Sequence, residues 1–247
     1  MKRTKKILAM LLCAVLLVTG TVAVTVAYLT STTEVATNTF TVGNVKIILN
    51  EADEDEDKST TDVNYVHGTE QRDTTNAYHI FPNGTYDKDP MVSVHKDSED
   101  SYIRMIVTVS DIQALKDAMP EERRAEYIVT DANGKEVFLL EKLVDWNSTD
   151  WLFNNYKEVE GKGVYEFWYK EMYSVPEDAK TVAVTGGREG EAGEYVELAP
   201  LFTQIILPED INNDELAHLN NISIEVVAHA MQADGFTSAE AAWAEWE

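Results

Sequence analysis

The chain has 247 residues, with 44 acidic against 20 basic side chains, a formal charge of −24 and one cysteine. So acidic a surface repels phosphate backbones and anionic head groups, which makes nucleic-acid binding a poor reading. A single thiol excludes an internal disulfide, and the length suits one substantial domain with its own core.

Lys2, Arg3, Lys5 and Lys6 form a positive start, and Ile7 to Val26 follows without a charge. Thr25-Val26-Ala27 has the small-x-small pattern of a cut site, so residues 1–27 are expected to be a secretory signal helix cleaved between Ala27 and Tyr28. An uncleaved anchor is the alternative, because the apolar run is long enough to span a bilayer. Both readings place Tyr28 onward outside the cell, since the positive flank stays in the cytoplasm. Leu12 before Cys13 speaks against a lipoprotein signal. The leader takes four basic residues with it, leaving 16 against 44 acidic ones, a formal −28, and no cysteine. Calcium or cationic polymers suit that charge, as does plain solubility.

Tyr28 to Thr39 is Thr-rich and sparsely apolar. Phe40 and Val42, then Val45, Ile47 and Leu49, alternate with polar residues, and the phase flips at Gly43-Asn44. That is a half-buried strand with a bulge or turn. Residues 51–62 form an acidic loop. Counted from Asp53, its sixth and twelfth positions are Lys58 and Asn64, where an EF-hand needs Gly and Glu. Pro82-Asn83-Gly84 reads as a turn. Strands are expected at Val92–Val94 and Ile103–Val109, paired as a hairpin. Asp111 caps a short helix with Ile112, Leu115 and Met119 on one face, and Pro120 ends it and opens another turn.

Tyr127–Val129 and Val137–Leu140 flank Asn133-Gly134 as a hairpin. Trp146 to Tyr156 is aromatic and Asn-rich. Val164–Met172 is a strand with Tyr165, Phe167 and Tyr169 on one face and Trp168 on the other. Thr181–Thr185 and Glu194–Leu198 bracket a Gly-rich loop. Phe202–Leu207 reads as a strand buried on both faces, and Asp210–Leu219 as holding a short helix. Ile222 to Ala230 alternates strongly. Thr237 to Glu240 has capping-box spacing, and a helix over 237–247 is expected to dock through Trp243 and Trp246. Nine or ten strands without βαβ alternation predict an all-β fold, an antiparallel sandwich with short helices in the connections.

Four blocks resemble a known family. They are A-Y-L-T-S at the cut site, T-N-T-F-T-V-G-N-V-K-I-I-L-N-E after it, F-P-N-G-T-Y-D-K-D-P-M-V-S-V-H-K-D-S-E-D-S-Y-I-R-M-I-V-T-V, and the closing I-E-V-V-A-H-A-M-Q-A-D-G-F. They are similar to the TasA/camelysin family of Gram-positive exported proteins, which a dedicated SipW-type signal peptidase cuts. Residues 111–196 show no quotable match. The resemblance implies a single jelly-roll-like domain over 28–247, secreted to the cell surface or biofilm matrix. It also implies polymerisation of the chain with its own copies into fibres. The strand freed by cleavage would lie within 28–40, with Tyr28, Leu29, Val35 and Phe40 as its apolar residues, and would add to the sheet of a neighbour. Folding of that arm onto its own sheet, giving a monomer, is the alternative.

Camelysin-type relatives imply a metallopeptidase as a second reading. Zinc hydrolysis wants three close ligands and a base. His67, His79, His95, His218 and His229 include no H-E-x-x-H pair. There is no G-x-S-x-G, and no phosphate loop follows Thr185-Gly186-Gly187. No catalytic, metal or cofactor residue is therefore assigned. A third reading is a glycan-binding adhesin using Trp146, Trp151, Tyr156, Tyr165, Phe167, Trp168 and Tyr169, residues that equally suit a core.

Overall fold

Period-two patterning dominates the sequence, and strands dominate the fold. A computed structural model describes residues 44–52, 65–67, 70–73, 76–178, 186–188 and 193–246. The strands are β1 (Ile47–Ala52), β2 (Tyr65–His67), β3 (Glu70–Asp73), β4 (Thr85–Asp87), β5 (Met91–His95), β6 (Ser101–Val109), β7 (Ile128–Thr130) and β8 (Glu136–Phe138). They continue as β9 (Trp151–Val159), β10 (Lys162–Tyr169), β11 (Gly186–Arg188), β12 (Tyr195–Glu197), β13 (Gln204–Ile206) and β14 (Ile224–Gln232). Helices are short: α1 (Ile112–Asp117), α2 (Arg124–Tyr127), α3 (Asn213–Ala217) and α4 (Ala239–Ala244).

The class is all-β and antiparallel, as expected. Six strands close a barrel in the order β1-β3-β2-β11-β12-β5, and four form a sheet in the order β14-β6-β10-β9. The pairs β13–β4 and β7–β8 complete the set. Barrel and sheet share one core: Val92 and Val94 of β5 meet Ile103, Met105 and Val107 of β6 and Tyr165 and Phe167 of β10.

The expected hairpin of β5 and β6 does not form. β5 pairs with β1 and β12, whereas β6 pairs with β14 and β10. The turn at Lys96–Asp97 carries the chain from one layer to the other, and the apolar faces of both strands then oppose each other across the core. The Gly-rich connection contributes β11, which pairs with β2 and β12. The run 202–207 is a strand only over Gln204–Ile206 and pairs with β4 at the surface, where Ile206 is exposed. Its apolar flanks Phe202 and Leu207 are the buried part.

Other expectations match. Asp111 caps α1 by accepting from Ala114 N at 2.9 Å, and Ile112, Leu115 and Met119 are buried. The second turn after Pro120 is a 3-10 turn leading into α2. The β7–β8 hairpin turns at Asn133-Gly134. Asn212 and Glu215 form a capping box on α3. Ser238 rather than Thr237 caps α4.

β9 was not legible as a strand. It joins β10 through Glu160-Gly161, both at positive φ (52° and 81°), the backbone of a tight two-residue hairpin turn. α1 lies over this hairpin: Ile112 N donates to Gly161 O at 3.0 Å, and a Cβ on Gly163 would stand 2.8 Å from Ile112 Cδ1. Trp151 of β9 is fully buried and its Nε1 donates to Ala199 O at 3.0 Å. Leu152 beside it is half exposed. Trp151→Ala should therefore lower unfolding stability by about 3–5 kcal/mol, and Leu152→Ala should stay within about 0.5 kcal/mol of wild type, both read from urea midpoints.

Candidate functional site

β14 is the last strand of its sheet and, among the described residues, is bonded on one side only. Its register opposes Ile224 to Val109 and Gln232 to Ser101. Just beyond its ends, Ser110 N donates to Ser223 O at 3.0 Å and Ala233 N donates to Asp100 O at 2.7 Å. Hydrogen-bonded pairs alternate along an antiparallel ladder, so the odd-numbered residues of β14 bond to β6. The N–H and C=O groups of Ile224, Val226, Ala228, Ala230 and Gln232 point to the free edge. Among the described residues no strand pairs with that edge, although β1 comes alongside β14.

The side chains of these even-numbered positions face the core. Ile224, Val226, Ala228 and Ala230 pack against it yet are only partly buried. A cleft of about 790 Å³ opens between the start of β14 and β1. Leu49, Tyr86, Leu115, Leu207, Ile224 and Val226 give it an apolar lining. Such a wall, with a free row of backbone groups along its rim, is the surface that an added strand requires.

Lys88 and Glu51 lie in the same cleft, with Nζ to Oε2 at 2.5 Å and both side chains 8% exposed. The pair joins the end of β1 to the segment between β4 and β5. Asp89 Oδ1 accepts from Ala52 N at 2.6 Å, and Asn76 Nδ2 donates to Ala52 O at 2.9 Å. Three polar contacts thus hold the end of β1 beside the cleft. A second cluster surrounds Glu158 of β9. Its carboxylate takes Lys116 Nζ at 2.7 Å, Lys135 Nζ at 3.3 Å and Tyr156 OH at 2.9 Å. The hydrogen bond from Lys116 leads in holding its pKa at about 2. It ties α1 and the β7–β8 hairpin to the sheet.

The residues singled out from the sequence divide sharply. Ala27, Tyr28, Leu29, Val35 and Phe40 lie outside the described residues, as does the acidic stretch beyond Ala52. His95 and His229 are in strands, as read, and His67 is at an element end, the last residue of β2. Among the described residues no three His, Cys, Asp or Glu side chains gather as a metal site would need. Of the aromatic set, Trp151, Tyr165, Phe167 and Trp168 are buried. Tyr156 and Tyr169 are half-buried, as is Trp146. The free edge of β14 was not foreseen. Its signal was the closing alternation, which marks a strand but not how many neighbours it has. No model of a known protein family, no curated protein and no solved structure matches the chain.

Removing one partner of a buried ion pair strands the other charge. Lys88→Met and Glu51→Leu should each destabilise by about 3–5 kcal/mol, and the double variant should recover most of the loss. A double-mutant cycle by chemical denaturation reads this directly.

Proposed function

We propose that this is an exported structural protein of a Gram-positive cell surface or extracellular matrix, with a jelly-roll-like domain of the TasA/camelysin type. A dedicated signal peptidase cuts between Ala27 and Tyr28. The released arm, residues 28–40 with Tyr28, Leu29, Val35 and Phe40, adds to the sheet of a neighbouring copy, and β14 receives it. A head-to-tail contact of this kind does not close on itself, so it propagates as a fibre. Cleavage is the switch, because an uncut arm is tethered to the membrane segment.

One observation carries the reading. Among the described residues, the even-numbered residues of β14 present backbone without a strand partner outward and incompletely covered apolar side chains inward. An extended segment laid there satisfies both at once. Long, open strand edges invite pairing with other chains, and proteins commonly blunt them with charge, proline or a covering loop. The edge-facing residues of β14 carry neither charge nor proline.

The test is electron microscopy of the processed protein beside two variants. One lacks residues 28–39. The other is Ala228→Pro, which removes an N–H aimed at the free edge and leaves the β6 ladder intact. Filaments are expected from the parent and from neither variant, with circular dichroism of Ala228→Pro unchanged. Filaments from all three, or from none, would reject strand donation to β14.

A further inference from the structure

One guanidinium seats helix α4 on the outer face of the four-stranded sheet. Arg104 of β6 lies 4.3 Å from the ring centroid of Trp243 and 5.3 Å from that of Trp246. Its Nε donates to His229 Nδ1 at 3.2 Å, and its Nη1 donates to Glu166 Oε1 at 3.2 Å. The same Glu166 oxygen accepts from Trp168 Nε1 at 2.5 Å. His229 stacks on Trp246, with centroids 4.8 Å apart and planes at 28°, and Trp246 meets Trp243 edge-on at 5.7 Å. Register brings these groups together: His229 is opposite Arg104 on one side of β6, and Trp168 is opposite it on the other.

The arrangement requires a neutral imidazole. Nδ1 can accept from Arg104 only if the ring proton sits on Nε2. Burial first, and then the Arg104 charge, push His229 below the ordinary histidine range, while Glu166 pulls the other way. The charged groups facing His229 are Arg104 from β6 and Glu166 from β10. Glu225 on its own strand, Glu240 on α4 and Glu245 just after it are exposed. The helix also buries Ala242 and Trp243, and Trp243 Nε1 is buried without an acceptor.

We propose that His229, Arg104 and the two tryptophans form an acid-sensitive clasp. Protonation of His229 removes the acceptor for Arg104, sets a second positive charge 3.2 Å from it and releases α4 from the sheet. The direction follows from linkage. Helix α4 covers His229 in the docked state, and Arg104 stays opposite it whether or not the helix is docked, so release exposes the imidazole and raises its proton affinity towards the ordinary histidine value, near 6.5. Docking therefore weakens as pH falls below that value. The clasp is independent of strand donation.

Amide hydrogen exchange of the purified protein, corrected for intrinsic rates, tests it at about pH 7.5 and about pH 5. Protection over residues 239–246 should fall by about tenfold or more at the lower pH, while β6 keeps its protection. In His229→Gln the side-chain oxygen still accepts and cannot be charged in this range, so the fall should vanish. Proton NMR of the wild type gives a second readout: the Trp246 indole signals should move with the midpoint of the His229 titration. Equal protection at both pH values, an equally steep loss in His229→Gln, or Trp246 signals that stay fixed while His229 titrates would each overturn the clasp.

Discussion

Every interior strand of a sheet fills two rows of backbone hydrogen bonds, and among the described residues β14 fills one. This half-completed ladder lies over the main core, because the residues whose backbone faces outward also send Ile224, Val226, Ala228 and Ala230 inward. Polar and apolar requirements coincide on one edge. Water can satisfy the first, and only an added segment of chain satisfies both. The cleft beside β1 continues that edge as an apolar wall. The Lys88–Glu51 pair holds the far bank in place with charges too buried for water to replace either partner cheaply.

Much of the fold was legible because apolar residues alternate. The alternating runs Ile103 to Val109, Val164 to Met172 and Ile222 to Ala230 hold β6, β10 and β14, and Asp111 and Asn133-Gly134 mark a cap and a turn where they occur. β9 hid for a physical reason. On the face that carries buried Trp151 and the more exposed Phe153, the next residue is Tyr156 and not residue 155, since the register with β10 slips between Glu166 and Phe167 and leaves Asn154 as an extra residue. A bulge breaks period two, so alternation does not run through β9. The hairpin expected from β5 and β6 failed for a different reason. Alternation tells which face of a strand is buried and says nothing about which strand lies beside it. β5 is buried on both faces, between the barrel interior and the core, and so belongs to another layer.

The candidate site was less legible than the fold. A free edge is a property of strand order, and strand order depends on pairings between residues more than a hundred positions apart, such as His229 with Arg104. The proposed arm residues Tyr28, Leu29, Val35 and Phe40 are picked out by resemblance and by their place behind the expected cut site. The proposed acceptor rests on the strand order and register of β14. The two meet in one mechanical scheme, in which β1, the strand that follows the arm, is fastened at its end by Glu51, Asp89 and Asn76 contacts close to the cleft.

The scheme reduces to the outward amides of β14. Residue-resolved hydrogen exchange, comparing monomer with assembled protein, reads them one by one. The account predicts that Val226, Ala228 and Ala230 exchange quickly in the monomer and become strongly protected on assembly, while Val227 and His229, bonded to β6, are protected in both. Outward amides already protected in the monomer, or equally quick to exchange in both forms, would contradict it.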